Sequence, residues 1–265
     1  MVKGLETEFC KFEAEGRLAI VTINRPDVMN ALHPAANRDL AAAFDAFAAD
    51  PDLWVAIITG AGDRAFCAGN DLKYQASGAD MSGQPKSGFG GIASRFDLTK
   101  PVIAAVNGVA MGGGFEIALA CDIIIAAENA TFALPEPRVG LMAGAGGVHR
   151  LPREIGLKQA MSMMLTARHV SAAEGKTLGF VSDVAPKGEA LARAKQWAAQ
   201  ILECGPLSVR ATKEAAMIGL TEKSVEAALN AQAGYPAMRT LFKSADYVEG
   251  PKAFSEKRKP NWKGA

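Results

Sequence analysis

The stretch MGGGFEIALACD, Met111–Asp122, decides how the chain is read. Three glycines precede a single carboxylate, Glu116, which is flanked by Phe115, Ile117, Ala118, Leu119 and Ala120. A surface helix would surround a glutamate with polar neighbours, so this segment reads as a buried helix opening after the glycines. The run before it, PVIAAVNG (Pro101–Gly108), and the run after it, DIIIAAE, read as buried strands. Upstream, LWVAIITG (Leu53–Gly60) is another such strand entering a glycine-punctuated turn, AGDRAFCAGNDLKY. Strand, glycine turn and helix thus recur at an interval of about 45 residues, the mark of stacked ββα turns.

Further out, FCKFEAEGRLAIVTINRP predicts two strands around Glu15–Gly16, and Pro34 opens a helix ending near Pro51. Residues 76–92, rich in Gly and Ser, read as a mobile loop. TFALPEPRVG gives a short strand running into a Pro-Glu-Pro turn, and GAGGVHRLPREIG starts another helix. Beyond residue 156 helices dominate: Leu157–Ala167, Ser171–Leu178, Lys187–Glu203, Ser208–Gly219 and Val225–Leu241, with a short strand at VSDVA. The chain divides into an α/β core over residues 1–200 and a helical section over 201–265.

The 265 residues are 49% hydrophobic and 22% charged, with a formal net charge of +1, which argues against nucleic acid as the main partner. Cys10, Cys67, Cys121 and Cys204 show neither a metal-binding spacing nor a disulfide framework, so reduced thiols and a cytoplasmic setting are expected. The N-terminus lacks the apolar core of a secretion signal and the Arg-rich composition of a transit peptide, and no run is long enough to span a membrane. GAGDRA (Gly60–Ala65) fits G-x-G-x-x-A, but Gly69 cuts off the helix a dinucleotide fold needs. Neither a nucleophile elbow nor a P-loop is present, and His33, His149 and His169 are isolated.

Three pieces remain: AFCAGNDL (Ala65–Leu72), NGVAMGGGFE (Asn107–Glu116) and LPEPRVGLMAGAGG (Leu134–Gly147). Small residues at strand ends let a ligand approach backbone amides, and a helix start directs free N–H groups at it. Two such donors from separate loops suit a developing oxyanion. Glu116 and Glu136 stand near them in sequence and could divide acid and base roles. Taken singly, Glu116 could equally balance a helix dipole, and Glu136 could be a solvated turn residue.

These residues resemble the crotonase superfamily, the enoyl-CoA hydratase/isomerase proteins. The resemblance runs through INRPDVMNAL, VAIITGAGDRAFCAGNDLK, PVIAAVNGVAMGGGFEIALACD, TFALPEPRVGLMAGAGGVHRLPR and EGPKAFSEKRKPNWKG; AGNDLK and FALPE also resemble the crotonobetainyl-CoA (carnitinyl-CoA) hydratase branch. It implies a crotonase-like ββα spiral with a C-terminal helical section used in trimer contacts, and a homotrimer or homohexamer. It implies hydration of a 2-trans-enoyl-CoA, with no metal and no cofactor beyond the CoA thioester substrate. The amides of Asn70 and Gly113 would hold the thioester oxygen; Glu116 would deprotonate water for attack at C3, and Glu136 would protonate C2. CoA would lie near Val28, Ala68, Asp71 and Leu72, with Phe254 and Lys257 reaching a neighbouring subunit's CoA. Gly144, taken as the start of the GAGG helix, would lie near the catalytic water. Leu134, Ala143 and Phe115 depart from common residues of the family and bear on acyl preference and on the aim of Glu136. Isomerisation, decarboxylation and thioester hydrolysis are the rival family reactions. From a different class, the rival is a weakly catalytic CoA- or RNA-binding relative.

Overall fold

Apolar strands buried on both faces need cover on both sides, and the arrangement of the chain follows from that need. The computed structural model describes Leu5 and residues 7–265. In the first sheet, β1 (Cys10–Glu15) pairs antiparallel with β2 (Leu18–Ile23). The helix α1 (Pro34–Ala49) follows, and β3 (Val55–Gly60) then joins β2 in parallel. A short strand, β4 (Ala65–Cys67), and a short helix, α2 (Leu72–Ala76), complete the first turn of the stack. The second turn is β5 (Val102–Val106), β6 (Val109–Met111) and α3 (Gly113–Ala120). The third is β7 (Ile123–Ala127), β8 (Thr131–Ala133) and a 3-10 turn at Glu136–Val139.

After α4 (Gly147–Ile155) and α5 (Leu157–Thr166) come β9 (Val170–Ser171), α6 (Ala172–Leu178) and β10 (Asp183–Ala185). The long strands form one six-stranded sheet, β1-β2-β3-β5-β7-β10, and the short ones a four-stranded sheet, β4-β6-β8-β9. The expected ββα stack is therefore present.

Side chains alternate across the large sheet with a period of two. Val55, Ile57, Ile103, Ala105 and Ile125 face a layer built by α7 (Ala190–Leu202). Ala56, Ile58, Val102, Ala104, Ile124 and Ala126 face the interior shared with α1 and α3. Beyond α7 lie α8 (Pro206–Gly219), α9 (Val225–Ala231), α10 (Pro236–Phe242) and α11 (Ala245–Ser255).

Several boundaries differ from the sequence reading. β4 and β6 were expected as turn; three residues are too few to show a strand period. The single helix expected over 225–241 breaks at a 3-10 turn, Gln232–Gly234, before Pro236 restarts it. The helix α11, unread in the sequence, carries Gly250 and Pro251 in its interior.

Candidate active site

Each glycine of the Met111–Asp122 stretch faces a different neighbour. Gly112 has a φ of +52°, and a Cβ there would lie 2.8 Å from Oε1 of Glu136. A Cβ on Gly113 would sit 2.7 Å from Cζ of Phe89, and one on Gly114 would overlap the carbonyl oxygen of Cys67. Three bare Cα atoms thus let α3 begin hard against β4, a phenyl ring and a carboxylate. The loop after β4 meets the same spot: at Gly69 (φ +92°) a Cβ would lie 2.7 Å from the Met111 carbonyl oxygen and 3.1 Å from the Gly113 nitrogen.

That loop is held by a parallel bridge between Leu32 and Asn70. Leu32 N–H donates to the Gly69 carbonyl at 2.8 Å, and Asp71 N–H donates to the Leu32 carbonyl at 2.9 Å. In this pattern the amide of Asn70 points away from Leu32. Among the described residues, the amides of Asn70 and Gly113 have no protein acceptor. The Asn70 side chain donates to Oε1 of Gln75 at 2.7 Å.

Glu116 lies in the first turn of α3 and is 3% exposed. Its Oε1 accepts the Gly147 N–H at 2.8 Å. Burial, helped by the nearby Glu136 carboxylate, pushes its pKa up to about 7 against the opposing pull of the Gly147 and Ala145 amides and of Arg150. Glu136 opens the 3-10 turn between Pro135 and Pro137, with Oε1 against Gly112. Burial raises its pKa as well, with its own backbone amide opposing, and its Oε2 is buried with no protein hydrogen-bond partner. Two carboxyls therefore stand at the start of α3, each pushed towards its neutral form.

Of the residues assigned to CoA, Val28, Ala68, Asp71 and Leu72 come together. The Ala68 amide donates to Met29 at 3.0 Å, and Val28 and Leu72 are exposed. The Asp71 side chain is engaged in structure: it caps α2 by accepting the Tyr74 N–H and pairs with Arg25 at 3.0 Å. Burial alone would raise its pKa, but these partners outweigh it and hold the carboxyl below its ordinary value. Phe254 and Lys257 lie at the end of α11, and among the described residues no hydrogen bond or ion pair joins them to this loop. His33 caps α1 through Nδ1, an ordinary helix-end histidine.

Two expectations need correction. Phe115 does not reach the site; its ring packs at 5.2 Å from Phe132 and 5.0 Å from Phe180, within the core. Leu134, two residues before Glu136, and Ala143, beside Gly147, are buried as well. The GAGG helix opens at Gly147, not Gly144, whose amide is spent on the Met142 carbonyl at 2.7 Å. Sequence reading missed Gly147 as the donor to Glu116, and Phe89 as the ring against Gly113. The GAGG run signalled an amide-rich turn but not which amide would be used. Among the described residues, no cluster of His, Cys, Asp and Glu could hold a metal ion, and no helix is long and apolar enough to cross a membrane.

The family model described as Enoyl-CoA hydratase/isomerase matches residues 13–265. The carnitinyl-CoA dehydratase of Proteus mirabilis is 42% identical over 258 residues, covering 94% of this chain and 96% of its own. The (E)-benzylidenesuccinyl-CoA hydratase of Thauera aromatica is 40% identical over 260 residues, covering 96% and 98%. The crystal structure of an enoyl-CoA hydratase from Mycobacterium tuberculosis superimposes with a TM-score of 0.90 at 40% identity, covering 97% of this chain and 99% of that one. With two stacked sheets, a glycine-opened helix and matches over almost its whole length, the chain belongs to the enoyl-CoA hydratase/isomerase family, the crotonase superfamily.

Proposed function

We propose that this protein is an enoyl-CoA hydratase, a hydro-lyase that reversibly adds water across the 2-trans double bond of a short-chain or crotonobetainyl-like enoyl-CoA. The observation that carries the reading is the pairing of a buried carboxyl, Glu116, with a half-buried one, Glu136, beside the contact between Gly69 and Gly113. The thioester oxygen accepts hydrogen bonds from the amides of Asn70 and Gly113, which stabilise the enolate that forms when C3 is attacked. Glu116, ionised and oriented by Gly147, takes a proton from water as its oxygen bonds to C3. Glu136 delivers a proton to C2 from its uncommitted Oε2, and burial, which raises its pKa, favours the protonated form this step needs. The names of the relatives, a carnitinyl-CoA dehydratase and two hydratases, support the same reaction class.

In this reading CoA follows the Val28, Ala68, Asp71 and Leu72 loop through backbone groups, and Phe254 and Lys257 serve a neighbouring copy in a trimer or a dimer of trimers. Residues 201–265 form the section used for assembly.

The test is steady-state hydration of crotonyl-CoA and crotonobetainyl-CoA by wild type, Glu116→Gln and Glu136→Gln. Each variant should lose about 10²–10⁴-fold in kcat. Product mass should rise by one water; an unchanged mass would point to isomerisation, and full activity in either variant would reject the assigned roles.

A further inference from the structure

Arg150 lies on α4, one turn beyond the glycines that open that helix, and is half-buried. Its Nη2 donates to the Ala93 carbonyl at 2.8 Å, and its Nη1 donates to the Ala145 carbonyl at 3.4 Å. The guanidinium stands over the Phe96 ring, 5.7 Å from its centroid. A Cβ on Gly146 would collide with Nη1, whereas a Cβ on Gly147 would lie 3.1 Å from Oε1 of Glu116. Two consecutive residues of one turn therefore touch the arginine and the glutamate respectively.

We propose that Arg150 is a positioning residue for hydration. It ties the chain at Ala93, just past the loop of residues 76–92, to the Ala145–Gly147 turn, so that the Gly147 amide stays aimed at Glu116 and a fixed positive charge stands by that carboxylate. The proposal rests on the reading of Glu116 as the base that activates water. A planar guanidinium can hold two carbonyls at once, which an ammonium point charge does poorly.

The charges acting on Glu116 are few. Glu136 repels it from the 3-10 turn, and Arg150 attracts it from α4. From β4 comes the Cys67 thiol, kept neutral by burial that pushes its pKa up to about 12. Neither β6 nor the 3-10 turn Phe89–Gly91 carries an ionisable side chain. Cys121 and Glu154 act on Arg150 itself. Without the guanidinium, only the Gly147 and Ala145 amides oppose burial and the repulsion from Glu136, and Glu116 ionises at higher pH.

The experiment compares wild type, Arg150→Gln and Arg150→Lys in crotonyl-CoA hydration across pH, with the Glu116 carboxyl followed separately by ¹³C NMR of glutamate-labelled protein, its signal assigned by loss in Glu116→Gln. Arg150→Gln should lower kcat by roughly 10–100-fold, with KM changed by less than about threefold. Its acid limb and the Glu116 titration should both move to higher pH. Arg150→Lys should keep the limb where wild type has it while losing several-fold in kcat. A fall in rate with limb and titration unmoved in Arg150→Gln, or identical behaviour of the Lys and Gln variants, overturns the proposal. Should Arg150→Gln not fold, Arg150→Met replaces it, and wild-type kcat in Arg150→Lys alone overturns the hydrogen-bonding role. If wild type hydrates no enoyl-CoA, the proposed function fails, while the Glu116 titration still tests the arginine.

Discussion

Above neutral pH the fold must hold an ionised Glu116 in a dry place, and this has a consequence for stability. Its folded pKa, about 7, lies above the ordinary value of 4.5. Between those values the folded chain holds a proton that the unfolded chain has lost, so stability falls as pH rises through this window and levels off above it. Glu116→Gln keeps an oxygen that can accept the Gly147 N–H and removes the charge. It should therefore be more stable than wild type at about pH 8, by an amount on the order of 3 kcal/mol, and no more stable at about pH 4. Urea unfolding at the two pH values checks this. An advantage that is the same at both, or missing at the higher one, would mean that Glu116 is not held as described. The same substitution is expected to abolish most activity, so stability and function oppose each other at this one carboxyl.

The element that carries Glu116 owes its place to Gly114. A Cβ there overlaps the Cys67 carbonyl of β4, a backbone group that cannot swing aside. Gly114→Ala should therefore unseat α3 from β4, destabilising the protein by about 3 kcal/mol or more. Gly234→Ala, where nothing lies within 4 Å, should change stability by less than about 0.5 kcal/mol. Thermal midpoints of the two variants make the comparison, and equal midpoints would refute the packing argument. This contact also marks how far the sequence could be read. The runs of β3, β5 and β7 announced buried parallel strands because each is apolar without a break. The glycines and Glu116 announced a helix start at the site. What the glycines make room for was not legible, since Cys67, Phe89 and Glu136 come from distant segments brought in only by folding. Nor was the direction of Phe115: apart from Glu116, which is itself buried, α3 is apolar, so no polar face tells which side chains turn inward. The true start of α4 was hidden as well, because it depends on Gly146 adopting a φ of +110° among several small residues equally free to do so.

At the scale of the molecule, the helical section leaves apolar side chains facing water. Met217, Leu220, Val225, Leu229, Phe242, Val248 and Phe254 are all exposed and all lie beyond the start of α8. The proposed assembly would cover side chains of this kind, since contiguous apolar surface favours association. A second copy of this chain is the occupant that the proposed sharing of Phe254 and Lys257 requires. Light scattering coupled to size exclusion should give a mass three or six times the chain's 27.7 kDa. Leu229→Glu combined with Phe242→Glu places charge on this surface without touching the sheets, so the mass should fall while the helical circular dichroism is retained. If the end of α11 serves a neighbour's CoA, dissociation should also raise KM for crotonyl-CoA by about tenfold, the effect of losing roughly one charge-assisted contact, while kcat, which the proposed function assigns to Glu116 and Glu136 of one chain, should change much less. A wild-type protein that ran as a single 27.7 kDa chain with full activity would overturn both the assembly and the role given to Phe254 and Lys257.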